Sequence, residues 1–196
     1  FFLLKEEGLL GRAILSLIPK NYKDEVSHIL SSVNHLLKRY FIGIIIEVMS
    51  VAFLITIGLT IIGVKINHAL IIASFAAIMN VIPYIGPIIG AVFGIFMGIV
   101  THINLDFYTE LLPLITLMAA VFISVQIADN VLFQPLIYSS SVNAHPLEIF
   151  LVIMMAGNLA GILGMVLAIP SYTILRVIAK EFFNNIEVVK KLTRNI

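Results

Sequence analysis

A long uncharged segment with a break in its middle constrains this chain more than any other feature. Residues 69–100 carry no charged side chain, and the sequence Pro-Tyr-Ile-Gly-Pro at 83–87 interrupts the apolar run. A helix rises about 1.5 Å per residue, so each half reaches only about 20 Å, against about 30 Å of bilayer hydrocarbon. Two prolines and a glycine also free backbone groups that lipid cannot satisfy. The pattern predicts a broken or re-entrant membrane hairpin, which is typical of transport sites.

The composition places the chain in a lipid bilayer. Hydrophobic residues make up 60% and charged residues 12% of the sequence, whereas soluble domains carry about 25% charged residues. The chain has no cysteine, which excludes structural disulfides and thiolate metal sites. Metalloprotease, phosphate-loop and dinucleotide motifs do not occur in the sequence, and no serine-hydrolase elbow is present. We therefore predict a protein that is not an enzyme, with no cofactor, no metal and no nucleic-acid partner.

Basic residues flank the apolar part of the chain on both sides. Eleven of the twelve precede residue 41 or follow residue 175, and only Lys65 lies between them. By the positive-inside rule both flanks are predicted to be cytoplasmic, so the number of crossings is even. The first residues, Phe-Phe-Leu-Leu-Lys-Glu-Glu, read like the cytoplasmic end of an earlier transmembrane helix that has been cut away. We assign that end and an amphipathic helical region to 1–40, the transmembrane transport domain to 41–178, and a cytoplasmic tail to 179–196.

The first half of the transport domain is preceded by an amphipathic helix between Pro19 and Tyr40. Its apolar stripe suits either a cytoplasmic helix that packs on its own protein or a neighbouring subunit, or a helix in the headgroup plane. The first span follows at residues 41–64, and Glu47 is its only charge. We interpret Glu47 as a snorkelling interfacial carboxylate in preference to a proton carrier.

The second half repeats the pattern of a span and a broken hairpin. Residues 111–128 form an uncharged span that ends in a polar cluster, and residues 149–175 form a second uncharged run with internal interruptions. We predict an all-α polytopic membrane protein with transmembrane helices, two broken or re-entrant helical hairpins and the amphipathic cytoplasmic helix. The crossings from residue 41 onward then number two or six. The second break is assigned to Gly157, Gly161, Gly164 and Pro170.

Several short motifs in their order carry a family resemblance. They are Pro-Tyr-Ile-Gly-Pro-Ile-Ile-Gly at 83–90, Asp-Asn-Val-Leu-Phe-Gln-Pro at 129–135, Val-Asn-Ala-His-Pro at 142–146, Gly-Ile-Leu-Gly at 161–164 and Ala-Ile-Pro at 168–170. Over nearly its whole length the chain resembles the autoinducer-2 exporter family of bacterial inner-membrane transporters. The resemblance implies a multi-pass inner-membrane protein, additional N-terminal helices and a homo-oligomer.

The resemblance implies two transport functions. Some family members are associated with export of autoinducer-2, a small polar quorum-sensing signal, and others resemble sodium or lithium ion/proton antiporters. We predict export of a small polar signal by secondary transport, with the antiporter as the alternative and a non-transporting membrane scaffold as the alternative from another class. The partners would be the lipid bilayer and either a small polar solute or a monovalent cation and a proton.

The two functions require different side chains. An antiporter needs a carboxylate in a water-accessible cavity, and Asp129, which has amides within helical reach, is the best candidate; Glu148 is a weaker one. A polyol exporter needs amides, hydroxyls and helix ends. We expect the two breaks to meet near the membrane midplane and to form a gated site with Asp129 at its edge. The predicted pathway residues are Asn80, Pro83, Tyr84, Gly86, Pro87, Asp129, Asn130, Gln134 and Asn158.

Overall fold

The computed structural model describes residues 23–82, 84–133 and 146–182, together with Ser16 and Pro19. These parts of the chain contain helices and turns and no strand, which confirms the all-α membrane fold. A π-helical segment precedes α4 and another follows it. The helices are α1 Lys23–Ile61, α2 Ile66–Asn80, α3 Ile85–Thr101, α4 Leu112–Ala128 and α5 Pro146–Phe182, and the π-helical segments are Phe107–Leu111 and Asp129–Phe133.

The amphipathic region and the first span form one helix, α1, of 39 residues. The helix passes through the predicted domain boundary at residue 40 without interruption. Val33, Leu36 and Leu37 on its amphipathic part lie across a small gap from Pro170 and Ile174 of α5. These apolar side chains therefore face another helix of the same chain, as the packing interpretation of the amphipathic helix expects.

The first hairpin consists of α2 and α3, which pack against each other. Gly86, Gly90, Gly94 and Gly98 lie on the buried side of α3. A Cβ atom at Gly90 would come within 2.9 Å of the Ala76 Cα, so only glycine lets the two backbones approach this closely. The glycine stripe therefore serves helix packing, as in other membrane helix pairs.

The first hairpin enters and leaves on the same side of the molecule. Asn80 at the end of α2 contacts Glu47 of α1, which lies about 21 Å before the end of α1 at Ile61. The turn between α2 and α3 therefore lies in the interior of the molecule, beside the middle part of α1. Tyr84 begins α3 with a positive φ of 68°, an uncommon conformation outside glycine. The first break is confirmed, and the hairpin is re-entrant in form.

A second hairpin is formed within α5. The backbone leaves helical geometry at Ala160 and at Gly161, whose φ is 60°. Tyr172 donates a hydrogen bond to Glu148, 24 residues away, at 2.8 Å, whereas a straight helix would separate them by about 36 Å. Residues 146–160 and 162–182 are therefore two antiparallel arms, which we call the first and second arm of α5. Gly157 and Gly164 let these arms approach next to the turn, because a Cβ at either would meet the opposite arm at Met165 or Ala156.

The prediction that Pro170 belongs to the second break is wrong. It lies inside the second arm, where the backbone remains helical. A proline in a helix frees the carbonyl four residues earlier, which here belongs to Val166. The Tyr40 hydroxyl of α1 donates to this Val166 oxygen at 3.4 Å. The helix continues because a neighbouring side chain supplies the donor that the proline lacks.

We expect Tyr40→Phe to lower the free energy of unfolding by about 1 kcal/mol, because the Val166 carbonyl loses its donor. In a Pro170→Ala background the loss should be smaller, since the alanine restores a backbone N–H. Chemical unfolding in detergent measures both values. Tyr108→Phe is the control, because the Tyr108 ring is exposed. An equal loss in both backgrounds would contradict this explanation of the proline.

The two hairpins pack on different parts of α1. The base of the second hairpin packs on Tyr40 through Ile169, with Ile149 and Tyr172 beside them, whereas the first hairpin begins just after Ile61. Three helical stretches among the described residues are long and apolar enough to cross a membrane: Val26–Ile61, Phe107–Phe133 and Leu147–Ala179, the last of which is folded back on itself. The number of crossings, two or six, and the side of each flank stay predictions.

The expectation that the two breaks meet is wrong in the described part of the chain. The first break reaches the second hairpin through the Tyr84 ring, which contacts Phe150 near the start of the first arm with ring centroids 5.9 Å apart. The turn at Ala160 and Gly161 lies farther along, and Leu159 beside it is 85% exposed. The hairpins touch side by side because each packs separately on α1.

Candidate functional site

Three polar side chains from three different elements meet inside the helix bundle. Glu47 of α1, Asn80 of α2 and Asp129 of the second π-helical segment are 3%, 7% and 1% exposed. The Asn80 amide nitrogen Nδ2 lies 3.3 Å from Glu47 Oε1 and 3.3 Å from Asp129 Oδ2. We call these three residues the buried polar cluster. One amide group thus bridges two carboxyl groups in an otherwise apolar environment.

Two of the helix irregularities, the first break and the second π-helical segment, each place one member of the buried polar cluster. Asn80 is the last residue of α2, directly before the first break, so its side chain lies at the innermost point of the re-entrant hairpin. Asp129 is the first residue of the π-helical segment after α4. π-helical turns frequently mark functional sites because they displace side chains from regular helical positions.

The charge of the buried polar cluster determines its chemistry. Two carboxylates buried close together in a low-dielectric interior repel each other strongly, and both are almost fully covered by protein. The Asn80 amide donates to both but adds no positive charge. A single positive charge bound between the two carboxyl groups would relieve this repulsion.

An open cavity of about 280 Å³ adjoins the buried polar cluster. Asn80, Gln126 and Asp129 give one end of the cavity a polar surface, and aliphatic and aromatic side chains form the walls. Pro87, which was predicted from the sequence, also lies in the wall. The lining is Val51, Ile55, Ala76, Asn80, Pro87, Ile88, Ala91, Val92, Ile95, Phe122, Ile123, Val125, Gln126 and Asp129.

The other predicted pathway residues lie away from this cavity or outside the described residues. Gly86 is buried against the Met79 carbonyl, while Tyr84 and Asn158 are exposed. Asn130 is also exposed and accepts a hydrogen bond from Gln126 Nε2 at 3.0 Å. Pro83 and Gln134 fall outside the described residues. The transport roles of these residues stay predictions.

Glu47 is the member of the site that the sequence interpretation missed. The snorkelling interpretation is wrong, because the Glu47 carboxyl group is buried and accepts a hydrogen bond from the Asn80 amide. A charge inside a membrane span costs on the order of 3 kcal/mol and normally faces a protein partner. This energetic cost was the signal in the sequence that Glu47 has a partner. The sequence did not identify the partner, because Asn80 is 33 residues away.

A second polar group lies at the base of the second hairpin. Tyr172 joins the two arms through its hydrogen bond to Glu148, and the Arg176 guanidinium lies 5.6 Å from the centre of the Tyr172 ring. Arg176 belongs by sequence to the basic flank but is buried. Glu148 thus lies with these residues at the hairpin base and does not line the cavity. Among the described residues no group of three or more histidine, aspartate and glutamate side chains forms a metal site.

Comparison with known proteins gives one family. The model of the AI-2E family transporters matches residues 1–184. "Putative transport protein YueF" of Bacillus subtilis is 33% identical over 95% of this chain and 46% of its own length. "Putative transport protein YrrI" of the same species and "Putative permease PerM" of Escherichia coli K12 are each 28% identical, over 93% and 91% of this chain and 48% of their lengths.

The chain spans about half the length of these curated relatives. No solved structure matches the chain. The family match covers nearly the whole sequence, including both hairpins and the buried polar cluster, and the relatives carry transport or permease names. The chain belongs to the AI-2E transporter family of multi-pass membrane proteins.

Proposed function

We propose that this protein is a secondary transporter that exchanges protons for a monovalent cation at the buried polar cluster. The observation that carries the proposal is the bridge from Asn80 to Glu47 and Asp129 at 3.3 Å each. A buried pair of carboxyl groups favours binding of one positive charge and disfavours an empty, doubly charged site. Proton and cation therefore compete for one place, which is the requirement for coupled exchange.

The re-entrant hairpin supplies a way to open and close the site. Asn80 lies at the innermost end of α2, so a small tilt of the first hairpin moves its amide relative to Glu47 and Asp129. We infer that the bridged arrangement described here is one state of the exchange cycle, in which the three side chains are almost fully buried. Access from either side would follow when the hairpin shifts, as in other transporters with broken helices.

Export of a small polar signal is the second candidate function. The description of the family and the cavity beside Asn80 and Gln126 support it. The cavity walls are mainly apolar and offer few hydrogen-bond partners to a polyhydroxylated solute, so exchange ranks first. For either function we propose a bacterial inner-membrane location with both flanks cytoplasmic, and a homo-oligomer.

The test is internal pH in sealed proteoliposomes of the complete protein after a sodium or lithium pulse. Wild type should move protons against the cation, and Asp129→Asn should lose this response, because the amide cannot exchange a proton. Glu110→Gln is the matched control, since this exposed carboxylate lies at the other end of the same crossing. Its response should equal that of wild type.

Two results would contradict the proposal. If vesicles with the wild-type protein show no cation-dependent pH change, exchange of inorganic cations is excluded and export of an organic signal is favoured. Full exchange by Asp129→Asn would make the buried polar cluster a structural element only. Intact folding of each variant is checked by size-exclusion chromatography and thermal unfolding.

A further inference from the structure

The cavity next to the buried polar cluster is divided into a charged end and an apolar body. Asp129 and Gln126 lie at the charged end. Only 1% of the Asp129 surface is exposed. The rest of the lining is almost entirely hydrocarbon. The wall side chains that shape the body are Val51, Ile55, Ala91, Ile95, Phe122 and Val125.

The cavity opens sideways, between α3 and α4. These helices pack closely where Gly94 meets Phe122 and Gly98 meets Met118. Nearer the buried polar cluster, Ile88 of α3 and Ile123 of α4 both line the cavity, and they are 65% and 61% exposed. Because both side chains are apolar and exposed, we place the opening of the cavity between them, toward the lipid hydrocarbon. A solute with apolar surface can therefore reach the charged end without passing through bulk water.

The lining matches one class of cation better than another. A bare inorganic cation releases its hydration water only where several oxygen ligands replace it, so it can bind at the charged end but gains nothing from the hydrocarbon walls. An alkylated ammonium group spreads its charge over its substituents and is more weakly hydrated. Its alkyl groups gain about 0.8 kcal/mol per buried methylene, and an aromatic neighbour such as Phe122 suits a quaternary ammonium group. The volume of about 280 Å³ suits a compact organic ion.

We infer that this cavity binds an amphiphilic organic monocation, with the ammonium group at Asp129 and the apolar body along the α1, α3 and α4 walls. The inference rests on the proposed function in that both use the same carboxylate. It names the substrate class: a small hydrophobic ammonium compound that enters from the lipid and competes with the proton or inorganic cation. Sodium and lithium would then bind only at the charged end and leave the apolar body of the cavity unfilled.

The test is calorimetric titration of tetraethylammonium chloride into the complete protein in lipid nanodiscs. Binding should be weaker by about a hundredfold for tetramethylammonium, which lacks the four methylene groups of tetraethylammonium. Asp129→Asn should weaken tetraethylammonium binding by about tenfold or more. Ala91→Phe should do the same by filling the cavity. Ala120→Phe, an exposed position on α4 outside the lining, is the matched control and should bind like wild type.

The inference is overturned if wild type shows no heat of tetraethylammonium binding, or if Asp129→Asn binds it unchanged. If Ala91→Phe fails to fold, Asp129→Asn decides the question. Binding is measured without ion flux, so the outcome is separate from the sodium pulse. Cation-driven proton movement without tetraethylammonium binding removes only the substrate class. Tetraethylammonium binding without proton movement after the sodium or lithium pulse removes only the exchange of inorganic cations.

Discussion

Gly86→Ala abolishes transport in our expectation, and Gly86→Leu does so with greater disruption. A Cβ atom at this position meets the carbonyl oxygen of Met79 and lies 2.6 Å from its carbonyl carbon. A backbone group cannot rotate away as a side chain can, so the first hairpin must open. Asn80, the next residue after Met79, would then leave Glu47 and Asp129. Overpacking of this kind costs about 1–3 kcal/mol or more.

Gly98→Ala is the matched control for this prediction. Its Cβ atom would meet the sulfur and methyl carbon of Met118, the flexible end of a side chain that adapts easily. Proteoliposome flux and thermal unfolding are compared for both variants and wild type. We expect membrane insertion of Gly86→Ala to be retained, because the apolar character of the segment is unchanged. Normal flux by Gly86→Ala would contradict a role for the closed hairpin.

The second large effect is expected for Asn80→Leu. The two carboxyl groups of the buried polar cluster lose their shared donor in a buried site, which should cost about 2 kcal/mol of the free energy of unfolding. Asn67→Leu is the matched control on the same helix, because Asn67 is exposed. Chemical unfolding in detergent measures both. An Asn80→Leu protein as stable as Asn67→Leu would contradict the bridging role.

A double variant separates this charge effect from simple loss of packing. Asp129→Asn removes one carboxylate and introduces an amide donor at the same place. In the Asn80→Leu background it should therefore recover part of the lost stability, so the two effects are non-additive. Strict additivity would show that Asn80 and Asp129 act independently.

Local patterns in the sequence predicted the elements of this fold and several site residues. Prolines and glycine at 83–87 and the glycines around 161 placed both breaks, since these residues limit or release backbone conformation irrespective of what surrounds them. Asp129 was predicted because it is a carboxylate at the end of an uncharged span with amides within helical reach, and Asn80 because an amide can hold a polar solute. Asn80 nevertheless had no predicted partner. Its bonds to Glu47 and Asp129 join residues 33 and 49 positions apart.

The sequence by itself determined that the chain is a helical membrane protein with two interrupted hairpins, because bilayer thickness and backbone hydrogen bonding act on each segment separately. Tertiary structure decided which interruptions became turns. Pro170 stays within a helix because Tyr40 donates to the freed Val166 carbonyl. It also decided that Glu47 is a buried partner and not an interfacial anchor. Both outcomes depend on contacts between distant segments, whose energies exist only after the helices have packed.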